Sequence, residues 1–141
     1  MLDSFRELID ELLSAPTYLR DLNLGSTENP DTIPVLALLT ERDLALLTRI
    51  QKTIRQDVPL LTAPPESPSL ESISGTSAEL FSRFESGRGE VISLLMNLTL
   101  KDWERTAISA TGNEISVADD VESHVEYDEI AREQLTDLLT S

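Results

Sequence analysis

Residues 116–138 read SVADDVESHVEYDEIAREQLTDL, and the fold follows from how this stretch is read. Val117, Val121, His124, Asp128, Ala131, Leu135 and Leu138 recur at steps of four and three, the period of one helix face. Ser116 with Asp119 three residues on forms an Asp variant of a capping box, so the helix is expected to start there. Its apolar stripe is interrupted by two polar residues, His124 and Asp128. Residues four apart face each other on a helix, which readies an imidazole–carboxylate contact between them. Burying Asp128 alone would cost several kcal/mol, so a donor must meet it, and His124 can supply one.

Three more segments carry helical periodicity. Residues 2–13 place Leu2, Phe5, Ile9, Leu12 and Leu13 on one face, and Pro16 is expected to stop that helix near Ala15. A polar loop with Gly25, Ser26, Asn29 and Pro30 follows. The second helix is predicted over 31–56, with Asp31 or Thr32 as N-cap, Pro34 in the first turn and Pro59 beyond its end. Leu36, Leu39, Leu46, Leu47, Ile50 and Ile54 fall within an arc of about 120°. Leu38 and Leu44 lie outside it, so this helix is expected to touch more than one neighbour. Residues 62–76 form a proline- and serine-rich loop, a crossover or mobile segment. The third helix, over 77–98, shows Leu80, Phe84, Val91, Leu94, Leu95 and Leu98, with Gly87 and Gly89 in its middle. Each glycine costs about 1 kcal/mol there, so close packing or a kink is expected at them. A turn over 99–113 carries Trp103. Four helices with one long connection and no alternating strand patterns predict an all-α four-helix bundle, a single domain over 1–141.

Composition narrows the function. The 141 residues include 26 acidic and 11 basic side chains, a formal net charge of −15. Duplex nucleic acid and anionic membranes would repel such a surface. The acidity suits solubility, or a basic partner. No basic leader or stretch of ~20 apolar residues is present, which points to a cytoplasmic protein. Asn97-Leu98-Thr99 fits a glycosylation acceptor by chance. Cysteine is absent, which excludes disulfides and thiolate metal sites. No nucleophile elbow or phosphate loop occurs, and Arg49, Arg88 and Arg105 form no basic patch. The remaining candidate chemistry is a divalent metal held by His124 and Asp128, with Glu41 or Asp43 of the second helix as third ligand. Against that stands the plainer reading of an internal hydrogen bond or ion pair.

The order of several short motifs resembles the DinB/YfiT-like superfamily. Val35-Leu36-Ala37-Leu38-Leu39, with an acidic residue following, is similar to the family's Val-Leu-Ala-His-Leu. Arg49-Ile50 and Pro59-Leu60 fall where that family has Arg and then Pro-Leu. Phe84, Arg88, Leu95 and Leu98 lead into Asp102-Trp103-Glu104-Arg105, similar to its Asp-Trp-x-Arg turn. Gly112 precedes the last helix, as it often does there. Tyr127-Asp128-Glu129-Ile130-Ala131-Arg132-Glu133-Gln134-Leu135 resembles its His-Asp-x-x-His-x-x-Gln-Leu. The resemblance implies a four-helix bundle, a homodimer, and in many members three histidines holding zinc or nickel for thiol transfer, isomerisation or related chemistry. Carried over, those ligand positions are Leu38, Tyr127 and Ala131, none of which is histidine. A metal-free, non-catalytic bundle that binds a partner or small ligand is therefore expected, with no cofactor. The alternative is a metal-dependent hydrolase or thiol transferase remodelled around His124, Asp128 and Glu41. Self-association is expected through Leu38 and Leu44.

Overall fold

The computed structural model describes residues 2–22 and 29–140. Four long helices, α1 (Leu2–Asp21), α2 (Thr32–Arg55), α3 (Ser77–Met96) and α5 (Val117–Thr140), are joined by a one-turn helix α4 (Leu100–Glu104) and a short ribbon. The ribbon strands β1 (Thr106–Ile108) and β2 (Glu114–Ser116) pair antiparallel, Ala107 opposite Ile115. Helix α2 packs on α3 and α5, and α1 packs on the same two, so α1 and α2 stand diagonally opposite. Among the described residues no helix is long and apolar enough to cross a membrane. The loop expected around Gly25 and Ser26 lies outside the described residues.

Helix α1 does not stop at Pro16; it continues to Asp21. Proline removes the N–H that would bond the carbonyl four residues back, here that of Leu12. That carbonyl is not left bare, because Arg88 of α3 donates Nη1–H to it at 2.8 Å. The extension also buries Ala15 and Leu19 against the core. A tertiary donor and further apolar burial thus offset the proline.

The core has two apolar layers. Ala15, Leu19, Leu36, Leu39, Leu80, Phe84, Ala131 and Leu135 belong to one. Leu12, Leu46, Ile50, Val91, Leu95, Trp103, Val117 and Val121 belong to the other. Every long helix contributes to both, as its 3–4 periodicity requires. Leu38 and Leu44, outside the main arc of α2, are half-buried and exposed respectively.

The long connection is a crossover tied down along its length. Val58, at φ 42°, turns the chain out of α2 in a conformation costly for a β-branched residue. Pro59 and Leu61 then bond the backbone of Ile108, each at 2.8 Å, which adds a third segment beside the ribbon. Lys52 and Arg42 donate to the Leu60 and Pro65 carbonyls at 2.8 and 2.9 Å. Thr76 caps α3 by accepting from the Glu79 N–H.

Two further local expectations need correction. The segment after α3 is not a plain turn: Thr99 and Asp102 form a capping box that starts α4, and the ribbon follows. Each strand has three residues, too few to show an alternating pattern in the sequence. Gly87 and Gly89 are not sites of close packing, since a Cβ at either would meet nothing within 4 Å. The cap predicted for α5 is present, with Ser116 and Asp119 bonding each other's backbone at 2.9 and 3.1 Å.

Candidate functional site

Between the two apolar layers lies a single polar layer. Asp43 of α2, Arg88 of α3, and His124 and Asp128 of α5 are at most 5 % exposed. Each sits where the helical period places a core residue: Asp43 between Leu39 and Leu46, Arg88 between Phe84 and Val91. Charges at such positions persist only when paired and hydrogen-bonded.

Arg88 is the hub. Its Nε donates to Asp43 at 3.1 Å and its Nη2 donates to the same carboxylate at 2.9 Å. Its Nη2 and Nη1 also grip Asp128, at 2.8 and 2.7 Å. The fifth N–H goes to the Leu12 carbonyl freed by Pro16. A guanidinium has five N–H donors, and all five are used. Burial opposes its charge, but the hydrogen bonds to Asp128 and the attraction of both carboxylates outweigh this, so its pKa moves further up. The Phe84 ring lies under the guanidinium, 5.0 Å from its centroid.

His124 approaches Asp43 rather than Asp128, with Nε2 2.7 Å from Oδ1. A carboxylate can only accept, so Nε2 carries the hydrogen. The contact expected between His124 and Asp128 is thus replaced by two others: Asp43 takes the imidazole and Arg88 takes Asp128. Beside the imidazole a cavity of about 20 Å³, lined in part by Arg42, Arg49 and Asp120, has room for one water. On its rim Arg49 donates Nε and Nη2 to Asp120, each at 3.0 Å, in a pair that is about one-tenth exposed.

Glu41, offered as a third ligand, is not brought to His124 and Asp128. It accepts the Ser69 hydroxyl at 2.6 Å and the Ser69 N–H at 3.1 Å, which pins the crossover to α2. The Ser69 hydroxyl bond holds its carboxyl below the usual range, against a smaller upward push from burial.

The three positions that the sequence resemblance sets against histidines are filled otherwise. Ala131 is buried in the first apolar layer, with Tyr127 packed against it, and Leu38 is half-buried. Arg42, one turn beyond Leu38, lays its guanidinium 3.9 Å from the centroid of the Tyr127 ring. Its Nη1 bonds the Pro65 carbonyl, while its buried Nε has no hydrogen-bond partner. Burial raises the Tyr127 pKa, Arg42 lowers it, and Asp128 adds to the rise. Leu and Ala offer no lone pair, and a neutral phenol is a poor ligand. Among the described residues no three His, Cys, Asp or Glu side chains are placed to hold a metal ion. The donor set does not fit the family's metal.

Asp43 and Arg88 were legible by the argument that singled out His124 and Asp128. Both interrupt apolar stripes at core spacing, and together they form the other half of the layer.

Helix number, order and diagonal packing make this a four-helix bundle. A solved structure with this fold is YfiT from Bacillus subtilis, described as a probable metal-dependent hydrolase with an unusual four-helix bundle topology. It superposes with a TM-score of 0.76 at 15 % identity, over 95 % of this chain and 85 % of that one. The likeness establishes the fold expected from the sequence motifs. No protein-family model and no curated protein matches the sequence.

Proposed function

We propose that this bundle is metal-free and non-catalytic, and that it acts by binding a partner or small ligand. The observation that carries this reading is the state of the acids in its centre. Asp43, the carboxylate bonded to the one histidine, and Asp128, one turn beyond that histidine on α5, are both gripped by the Arg88 guanidinium. A divalent cation would have to displace a cation already held by hydrogen bonds from every N–H it has. Leu38, Tyr127 and Ala131 offer it no better set, because Arg42 stacks on Tyr127.

Elemental analysis of the purified chain tests this directly. The expected result is no stoichiometric transition metal, and the same background in His124→Ala. A second reading, a hydrolase or thiol transferase using His124, Asp128 and Glu41, draws support from the description of YfiT. It requires one zinc or nickel per chain that is lost in His124→Ala. That result would replace the first reading with the second.

A further inference from the structure

We infer that residues 62–72 of the crossover are a lid over the outer side of the polar layer, one that opens while the four long helices stay packed. These residues, all of them described, form neither helix nor strand, and none is buried. Both ends are anchored: Leu61 is 6 % exposed and bonds Ile108, and Ile73 packs on the first apolar layer. Between the anchors the segment is held by polar ties to α2. Arg49 donates Nη1–H to the Thr62 carbonyl, Arg42 donates to that of Pro65 at 2.9 Å, and Glu41 accepts from Ser69. An open groove of about 600 Å³ lies between the segment and Leu44, Ala45 and Thr48 of α2, and Leu44 stays 62 % exposed. Segments with few buried apolar contacts and bonds near the surface open at far smaller cost than the core. Pro64, Pro65 and Pro68 each fix their own φ, so the piece between the anchors moves as a stiff strap.

What the strap covers is His124. Pro64 lines the cavity of about 20 Å³ together with Arg42, Arg49, Asp120, Ser123 and His124. The imidazole is 5 % exposed and its Nε2 is taken by Asp43, so Nδ1 is the ring nitrogen left to meet an entering molecule. With the strap lifted, Arg42 and Arg49 each lose a carbonyl acceptor, and the Arg42 Nε already lacks one. Opening therefore presents N–H donors beside an imidazole, a surface for a small molecule that carries acceptors. This gives the small ligand of the binding role proposed above a way in, and rests on that reading only there. A metal found in the bundle would overturn the metal-free centre without touching the lid, and a lid that stays shut would leave the centre intact.

The chain has one histidine and no cysteine, so both residue types serve as clean probes. The test treats the full chain with diethyl pyrocarbonate and follows carbethoxylation of His124 by peptide mass spectrometry. The expected rate is flat at low urea, because lifting the strap exposes little surface, and turns upward only near the unfolding transition. Ser69→Ala removes the hydroxyl bond to Glu41 at an exposed position and should raise the flat rate about fivefold. In Glu41→Cys combined with Ser69→Cys, joining the two thiols by a short bis-maleimide should lower the flat rate about tenfold relative to the unjoined variant. A rate that climbs from the lowest urea with the full unfolding slope overturns the proposal, since His124 is then reached only through global unfolding. So does labelling that Ser69→Ala and the joined thiols both leave unchanged, which would mean that the reagent reaches His124 with the crossover in place.

Discussion

Two arginines show how differently one side chain can serve in one bundle. Arg88 is 1 % exposed and has both carboxylates, a backbone carbonyl and all five donors engaged. Arg42 is half-buried, stacks on Tyr127, makes a single hydrogen bond to Pro65 and leaves its Nε unpartnered. The first is a layer of the fold. The second is a plug, stacked on Tyr127 and tied to the crossover at Pro65. Desolvation makes the difference: charges in the dry centre must be fully satisfied, while one near the surface tolerates an incomplete set.

The largest effect should come from the centre. Arg88→Met strands Asp43 and Asp128 and the Leu12 carbonyl, and should cost about 3–5 kcal/mol in urea unfolding. Arg42→Ala loses a cation–π contact and one hydrogen bond, and should cost only about 1 kcal/mol by the same measurement. Comparable losses for both would erase the distinction between layer and plug.

Gly87 and Gly89 flank Arg88 but meet nothing on the side where a Cβ would point. Gly87→Ala and Gly89→Ala should therefore each raise stability by about 0.5–1 kcal/mol, seen as a higher urea midpoint. A loss would mean that the helix around Arg88 needs its glycines after all.

The smallest effect concerns the crossover. Glu41 is held below its ordinary pKa of 4.5, chiefly by the Ser69 hydroxyl. A depressed carboxyl contributes stability that is present above the unfolded value and lost as pH falls through the folded one. Part of the acid sensitivity below about pH 4.5 should thus disappear in Glu41→Gln, measured as the pH dependence of the urea midpoint.

The four long helices were legible because their apolar residues keep the 3–4 period over many turns. The cap at Ser116 and Asp119 was legible for a local reason, since it needs only two residues at fixed spacing. Pro16 misled, because the donor that lets α1 continue comes from Arg88, 72 positions later in the chain. Local rules cannot see such a partner. His124 and Asp128 stood out as core-face polar residues, but pairing them with each other rested on nearness in sequence. Their true partners lie on α2 and α3, where Asp43 and Arg88 break their own stripes. Glu41 was acidic and close to Asp43 in sequence, yet two residues on a helix turn a side chain through about 200°, toward the crossover.

Arg88, Asp43 and Asp128 act as one unit, and a comparison of unfolding free energies reads this out. Arg88→Met alone should be severely destabilised, whereas Arg88→Met combined with Asp43→Leu and Asp128→Leu should recover most of that loss, because no stranded charge remains. If the triple variant instead loses the sum of the three separate costs, the residues are independent and the central layer is not what holds the bundle's acids.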